Sequence, residues 1–253
     1  VVDWLKINML SLNIDKTHYI IFRRHRGKIS LSKDLFVNNV KIAISDHSKF
    51  LGVVIDQYLS FYRHIQYIKG KVSRVIGILY KCKKFFKEST LLTMYNAFIY
   101  PYLNYCTAVW GNTYQSYLDP LIKLQKRAVR LIVGANKMAH SAPIFKKLNV
   151  LNLQNIYVYS VQLFLYKYHH MSLPMIFNEF FVRNNTIHRH DTRLHNLFHV
   201  PISRLVIVSR TVRYSGVKIY NHFSACLDFN CSYVTYKRHL KYYLLGNDIS
   251  SLL

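Results

Sequence analysis

The chain has eleven acidic residues in 253, and no two of them are adjacent. Asp3, Asp15, Asp34, Asp46, Asp56, Glu88, Asp119, Glu179, Asp191, Asp228 and Asp248 are scattered singly. The sequence therefore presents no ready carboxylate pair for holding metal ions. Cysteine and histidine offer a second chemistry. His222, Cys226, Cys231 and His239 follow one another at spacings of four, five and eight residues, and no CxxC occurs. That pattern matches no ordinary zinc finger or knuckle. Two ordinary cysteines and two surface histidines are the expectation, with no metal site. His188, His190, His195 and His199 surround Asp191, but neither a nucleophile nor an orienting carboxylate stands beside them. They read as part of a basic loop.

Positive charge is the chemistry the chain has in excess. Lys and Arg outnumber Asp and Glu by 35 to 11, giving a formal charge of +24. Such a chain repels itself unless a polyanion lies nearby; nucleic acid is the first candidate and an acidic membrane surface the second. Residues 1–57 carry nine basic and five acidic residues, residues 58–135 twelve and two, and residues 136–253 fourteen and four. The anion is expected against the middle and the end. The sharpest basic group is Lys123, Lys126, Arg127 and Arg130, within roughly a 100° arc of a helix. Asp119 is the sole acid nearby, so the stripe is one-signed. An ordinary solvated helix face is the alternative.

The elements that must carry these residues follow from periodicity. Residues 1–10 read as the end of a helix, 17–22 as an apolar strand, and 35–44 as a hairpin turning at Asn38-Asn39. Residues 49–55 read as another apolar strand. After Asp56 the pattern is helical. Ile65, Ile68, Val72, Val75, Ile76 and Leu79 share one face of a helix over 64–86, with Arg63, Arg74 and Lys81 opposite. Further helices are expected over 90–100, from Pro101 to Trp110, and over 117–133, where Leu121, Leu124, Ala128, Leu131 and Ile132 form the apolar face. Residues 134–141 read as a linker, 152–170 as a helix, 184–200 as a loop, and 216–224 and 233–245 as short terminal helices. Most of the 21 tyrosines, Tyr95, Tyr102 and Tyr157 among them, fall on apolar faces and are expected in the core.

Apolar residues make up 51%, enough for a packed core. Four cysteines do not make a disulfide framework. No signal-peptide pattern heads the chain, and no run reaches 18 apolar residues; residues 156–168 come nearest but are interrupted by Gln162 and Lys167. A soluble intracellular protein with reduced thiols and no membrane partner is expected.

Trp4–Thr17 (WLKINMLSLNIDKT) and Phe50–Asp56 (FLGVVID) together resemble the end of the palm domain in reverse transcriptases of non-LTR (LINE-type, jockey-like) retrotransposons. The first resembles motif D, with Asn13, Lys16 and Thr17 in place. The second resembles motif E, the primer grip. The order continues through His64-Ile65, Lys71-Val72-Ser73, Leu91–Asn96, Pro101-Tyr102-Leu103, Tyr105-Cys106, Trp110-Gly111 and Leu124–Ala128, similar to that family's thumb. Thr192-Arg193, Val200-Pro201, Arg213-Tyr214, Tyr220-Asn221 and Tyr236–Leu245 are similar to its C-terminal segments, although Tyr220 stands where tryptophan is usual.

The resemblance implies an α+β, predominantly α chain: a small β palm remnant (1–57), a helical thumb (58–135) and a helical C-terminal region (136–253). It implies a C-terminal fragment of an RNA-directed DNA polymerase, and Val1 in place of Met suits a fragment. The partners would be an RNA template, a DNA primer or their hybrid. The nucleus and cytoplasm would be its places. Such polymerases set two adjacent aspartates and a third around Mg²⁺; this chain lacks the pair, so Mg²⁺ belongs to the intact parent and this chain alone is expected to be inactive. The upstream palm, the fingers and the endonuclease are missing. By resemblance Lys16 is an auxiliary lysine that protonates the leaving pyrophosphate, against the plainer reading of a solvated lysine. Phe50, Leu51 and Gly52 would hold a primer strand, against a buried strand with a bulge glycine. Arg63, Arg74, Lys81, Lys123, Lys126, Arg127 and Arg130 would contact phosphates. A domesticated, non-catalytic nucleic-acid-binding protein, or a decayed element without function, are the alternatives.

Overall fold

A computed structural model describes residues 2–24, 34–187, 194–247 and 249. His188, His190, Asp191, Thr192-Arg193 and Asp248 lie outside them. Helix accounts for 56% of residues and strand for 8%, which makes the class predominantly α with small sheets near the N-terminus. Two compact units divide between Gln66 and Tyr67.

In the first unit, helix α1 (Val2–Ile7) leads to a 3-10 turn over Ile14–Lys16. Asn13 caps that turn by accepting the Lys16 amide at 3.1 Å. Strand β1 (His18–Tyr19) is shorter than the 17–22 expected, and it pairs in parallel with β4 (Ala43–Ile44). Strands β2 (Phe36–Val37) and β3 (Val40–Lys41) form the expected hairpin. Asn38 and Asn39 both take positive φ, 49° and 63°, as a two-residue primed turn demands.

The expected strand over 49–55 is instead a second hairpin, β5 (His47–Phe50) against β6 (Val53–Asp56). It turns at Leu51 (φ 45°) and Gly52 (φ 86°). Gly52 is therefore a turn residue rather than a bulge. The buried Asp56 carboxylate closes the hairpin's far end. It accepts from the amides of Tyr58, Ser60 and Phe61 and from the Ser60 hydroxyl, at 2.8–3.1 Å. Those bonds fix the approach to helix α2 (Tyr62–Cys82). Within this unit His64 is buried, and its Nδ1 accepts the Val54 amide at 3.4 Å.

The second unit holds the rest of α2 and then α3 (Glu88–Phe98), α4 (Tyr100–Asn104), α5 (Thr107–Trp110), α6 (Gln115–Ile132), α7 (Ser141–Lys147), α8 (Leu153–His169), α9 (Asn184–Ile187), α10 (Val206–Ser209), α11 (Val217–Phe223) and α12 (Tyr233–Gly246). Pro101 sits in the first turn of α4, where its missing N–H costs nothing. Helix α8 is the centre. Asn152 caps it at the Asn155 amide, 2.8 Å, and it packs on α4, α5, α11 and α12. Ile156, Tyr157, Val158, Val161 and Leu165 are buried all round it, as a core helix requires. Gln162, which interrupts the apolar run in sequence, is wholly buried and used on both ends. Its amide donates to the Ile219 carbonyl (3.1 Å) and its carbonyl accepts from Tyr236 (3.0 Å). Asn155 likewise donates to the Leu244 carbonyl at 2.6 Å. These buried pairs set the register of α11 and α12 on α8. Tyr95 and Tyr157 are core residues and Tyr102 is half-buried. Burial pushes the Tyr157 hydroxyl up to about 12, against a 2.7 Å bond to Ser215.

The segment over 184–200 is not wholly loop. It includes α9, and Arg183 bridges Phe198 in antiparallel fashion. Among the described residues no helix is long and apolar enough to cross a membrane. All four cysteines are free thiols.

Candidate nucleic-acid interface

The first unit presents Phe50 and Leu51 at the tip of the β5–β6 hairpin, 64% and 74% exposed. The turn raises them away from the core, and Leu51 is held in a left-handed conformation that costs a β-carbon residue about 1–2 kcal/mol. Beside the hairpin lies an open cleft of about 550 Å³, lined among others by His18, His47, Ser48, Lys49 and Arg63.

Two hydrogen-bonded groups shape this cleft. His18 Nδ1 lies 3.3 Å from the Lys16 carbonyl and Nε2 lies 2.8 Å from Ser48 Oγ. A carbonyl only accepts, so Nδ1 carries the proton and Nε2 accepts from the serine. The bond ties the start of β1 to β5 of the hairpin. Arg63 donates to Asp46 at 2.6 Å, and His47 Nδ1 meets the other oxygen of Asp46 at 2.5 Å. The His47 bond first, and the Arg63 charge after it, hold the Asp46 carboxyl below its ordinary value. Arg63 is thus already paired with a carboxylate. Lys16 is exposed at the end of its 3-10 turn. Neither His18 nor Ser48 is singled out by the sequence, because thirty residues separate them.

The second unit carries the remaining basic residues. Ile68, Val72, Ile76 and Leu79 are the buried face of α2, with Arg74 and Lys81 exposed; Arg74 Nε donates back to the Gly70 carbonyl at 3.2 Å. Helix α6 buries Leu118, Leu121, Gln125, Ala128, Val129 and Ile132. This face is rotated toward Gln125 relative to the expected one, and Leu124 and Leu131 are only half-buried. Its principal neighbours are α3 and α7. Gln125 belongs inside because its amide donates to Tyr95 Oη (2.9 Å) and the Leu151 carbonyl (3.0 Å).

Lys123 and Arg127 are exposed on the opposite side of α6, while Lys126 and Arg130 are half-buried. Arg130 is not turned outward with the others. Its Nε donates to the Ala139 carbonyl at 2.7 Å and holds the 134–140 segment against the helix. Asp119 accepts from Gln115 at 2.6 Å. The face therefore leaves Lys123, Lys126 and Arg127 as its outward cations.

Among the described residues no three His, Cys, Asp or Glu side chains are grouped so as to hold a metal ion. The Cys226 thiol points to the His222 carbonyl and the Cys231 thiol to the Asp228 carbonyl, 3.7 and 3.2 Å away.

No family model matches this sequence, and no solved structure matches it. The "Probable RNA-directed DNA polymerase from transposon X-element" of Drosophila melanogaster is 22% identical to it over 152 residues, 58% of this chain and 16% of the relative. The chain spans about a sixth of that relative's length. It is distantly similar to the RNA-directed DNA polymerase of a jockey-like, non-LTR element.

Proposed function

We propose that this chain is the C-terminal part of a retrotransposon RNA-directed DNA polymerase and that it grips template–primer nucleic acid without supplying the catalytic carboxylates. The observation that carries this reading is the β5–β6 hairpin. Its exposed Phe50-Leu51 tip stands in a strained turn beside a cleft with Lys49, where the primer-grip pattern predicts a strand contact. The distant likeness to the X-element polymerase supports it. So does the apolar surface of the first unit. Trp4, Ile7, Met9 and Leu10 are all exposed, the surface that the remainder of a palm would cover.

Phosphoryl transfer is not assigned to this chain. Two Mg²⁺ ions need carboxylates a few ångströms apart, and the carboxylates here are scattered singly. Its contribution is grip. An RNA–DNA hybrid approaches A-form, so recognition runs through backbone shape and charge rather than base edges. Helix α6 offers phosphate contacts of its own through Lys123, Lys126 and Arg127.

The test is fluorescence anisotropy on an RNA–DNA hybrid at several salt concentrations. Three neutralised phosphates account for roughly −2.7 of the slope of log K against log[salt]. Changing Lys123, Lys126 and Arg127 together to Ala preserves the helix and is expected to make the slope shallower by about two to three, equally for unrelated sequences. Arg130 is left in place because it anchors Ala139. An unchanged slope in a folded triple variant returns α6 to an ordinary solvated face.

A further inference from the structure

A second basic surface is built without any residue of α6 or of the hairpin. A cleft of about 560 Å³ runs along α12, walled by Tyr159 of α8 and by Asn149 just after α7. Its α12 side is a single stripe, in which Tyr233, Lys237 and Lys241 alternate with Arg238 and Tyr242. Three cations and three tyrosine rings meet there, and no carboxylate lines the cleft. None of the three cations has an ion-pair partner among the described residues.

This arrangement works against the helix. Lys237 and Lys241 stand four residues apart on one face, a like-charge spacing that destabilises a helix. The helix contains no acid to offset them. Lys241 is half-buried, and burial lowers its ammonium below the ordinary lysine value. Tyr242, by contrast, is 82% exposed on the cleft rim. Cationic charge with no carboxylate beside it, partly desolvated and set against an exposed aromatic face, is what a phosphate next to a planar base would complete.

We propose that this cleft binds single-stranded nucleic acid, with successive phosphates on Lys237, Arg238 and Lys241 and a base stacked on Tyr242. The site goes beyond the duplex grip proposed above and uses none of its residues. In a chain that holds a template–primer, a single-strand site at the far end of the sequence gives the unpaired part of a strand a separate place. Stacking tolerates any base, so binding is indifferent to sequence.

The test uses the full chain with fluorescein-labelled dT12 as the single strand and a 12-base-pair RNA–DNA hybrid as the duplex. Lys237, Arg238 and Lys241 are changed together to Ala, Tyr242→Ala is made separately, and the α6 triple variant runs alongside, with circular dichroism confirming the fold. Three phosphates on a single strand account for roughly −2 of the salt slope. The cleft variant is expected to lose that part of the dT12 slope and keep the hybrid slope. Tyr242→Ala, at an exposed site that leaves the fold intact, is expected to weaken dT12 roughly 5- to 100-fold with no change in slope. An unchanged dT12 slope in a folded cleft variant overturns the proposal, and unchanged dT12 affinity in Tyr242→Ala overturns it even if the triple variant fails to fold. Inorganic polyphosphate competing as well as dT12 removes the base from the site and also overturns it. Loss of binding to phosphatidylserine vesicles with dT12 binding intact would assign the cleft to a membrane instead. Failure of the duplex reading shows separately, as an unchanged hybrid slope in the α6 variant.

Discussion

Replacing His64 by glutamine is expected to make the first unit less sensitive to acid. His64 is buried, and burial holds its imidazole down to about 4 from an ordinary 6.5. Nδ1 accepts the Val54 amide at 3.4 Å, a bond that an imidazolium cannot make because both its nitrogens donate. The unfolded chain therefore takes up the proton first. A depressed folded-state value means that the stability is fully present above about 6.5 and is lost as pH falls toward 4. The gap of about 2.5 pH units, at 1.36 kcal/mol each, sets the loss at about 3 kcal/mol. A glutamine in its place cannot titrate and keeps an oxygen for the Val54 amide. The comparison must be by difference, because the chain holds twelve other histidines besides His64 and a formal charge that is already +24. Urea midpoints of wild type and His64→Gln are to be measured from pH 7.5 to 4. The wild-type value is expected to fall relative to the variant by about 3 kcal/mol, with nearly all of the change below pH 6.5. An imidazole resonance that disappears in His64→Gln and titrates near 6.5 would refute the reasoning, as would parallel stability curves.

Leu51→Asn is expected to stabilise the β5–β6 hairpin by about 0.5–1 kcal/mol, since Asn tolerates the left-handed region, and to weaken hybrid binding; urea melts and anisotropy read the two effects, and unchanged binding would remove Leu51 from the interface. Gly111→Ala is expected to cost about 1–3 kcal/mol. An added Cβ would lie 2.7 Å from the Thr107 carbonyl and 2.8 Å from the Tyr157 ring, and the backbone atom cannot step aside; thermal denaturation followed by circular dichroism checks it. Tyr95→Phe removes a buried hydroxyl from Gln125 and is expected to cost about 0.5–1.5 kcal/mol, while Gln125→Ala, which also opens a void and strands the Leu151 carbonyl, costs about 2–4 kcal/mol. Equal losses would mean that the Leu151 bond contributes nothing.

What the sequence makes legible is what a single helix or a single turn decides alone. The face of α2 and the Asn38-Asn39 turn follow from period and from residue type, and both are found as expected. The β5–β6 hairpin is hidden because Leu51-Gly52 is not a usual turn pair: a leucine gives no sign that it will adopt φ 45°. The buried face of α6 is displaced for a different reason. Gln125 counts as polar in any periodicity, yet its partners Tyr95 and Leu151 are 30 and 26 residues away. The same blindness to distance conceals the Arg130–Ala139 bond and the His18–Ser48 pair. The α12 cleft is split in sequence between three segments, each unremarkable by itself.

Buried polar groups and exposed charges are used in opposite ways. In the second unit the buried amides of Gln125, Asn155 and Gln162 each satisfy a carbonyl or hydroxyl on another helix, and removing one would leave its partner unpaired in a low-dielectric core. Those groups specify how the helices stack. The charges on the exposed faces do no such work: Lys41, Arg63 and Lys147 pair with carboxylates, while Lys and Arg outnumber Asp and Glu by 35 to 11 in the chain. Surface pairing contributes little to stability in any case, so more acids would not be needed for folding. A net excess this large raises self-repulsion and is relieved when a polyanion displaces the counterions. The cations of α6 and α12 are consequently better explained by what the folded chain binds than by how it folds.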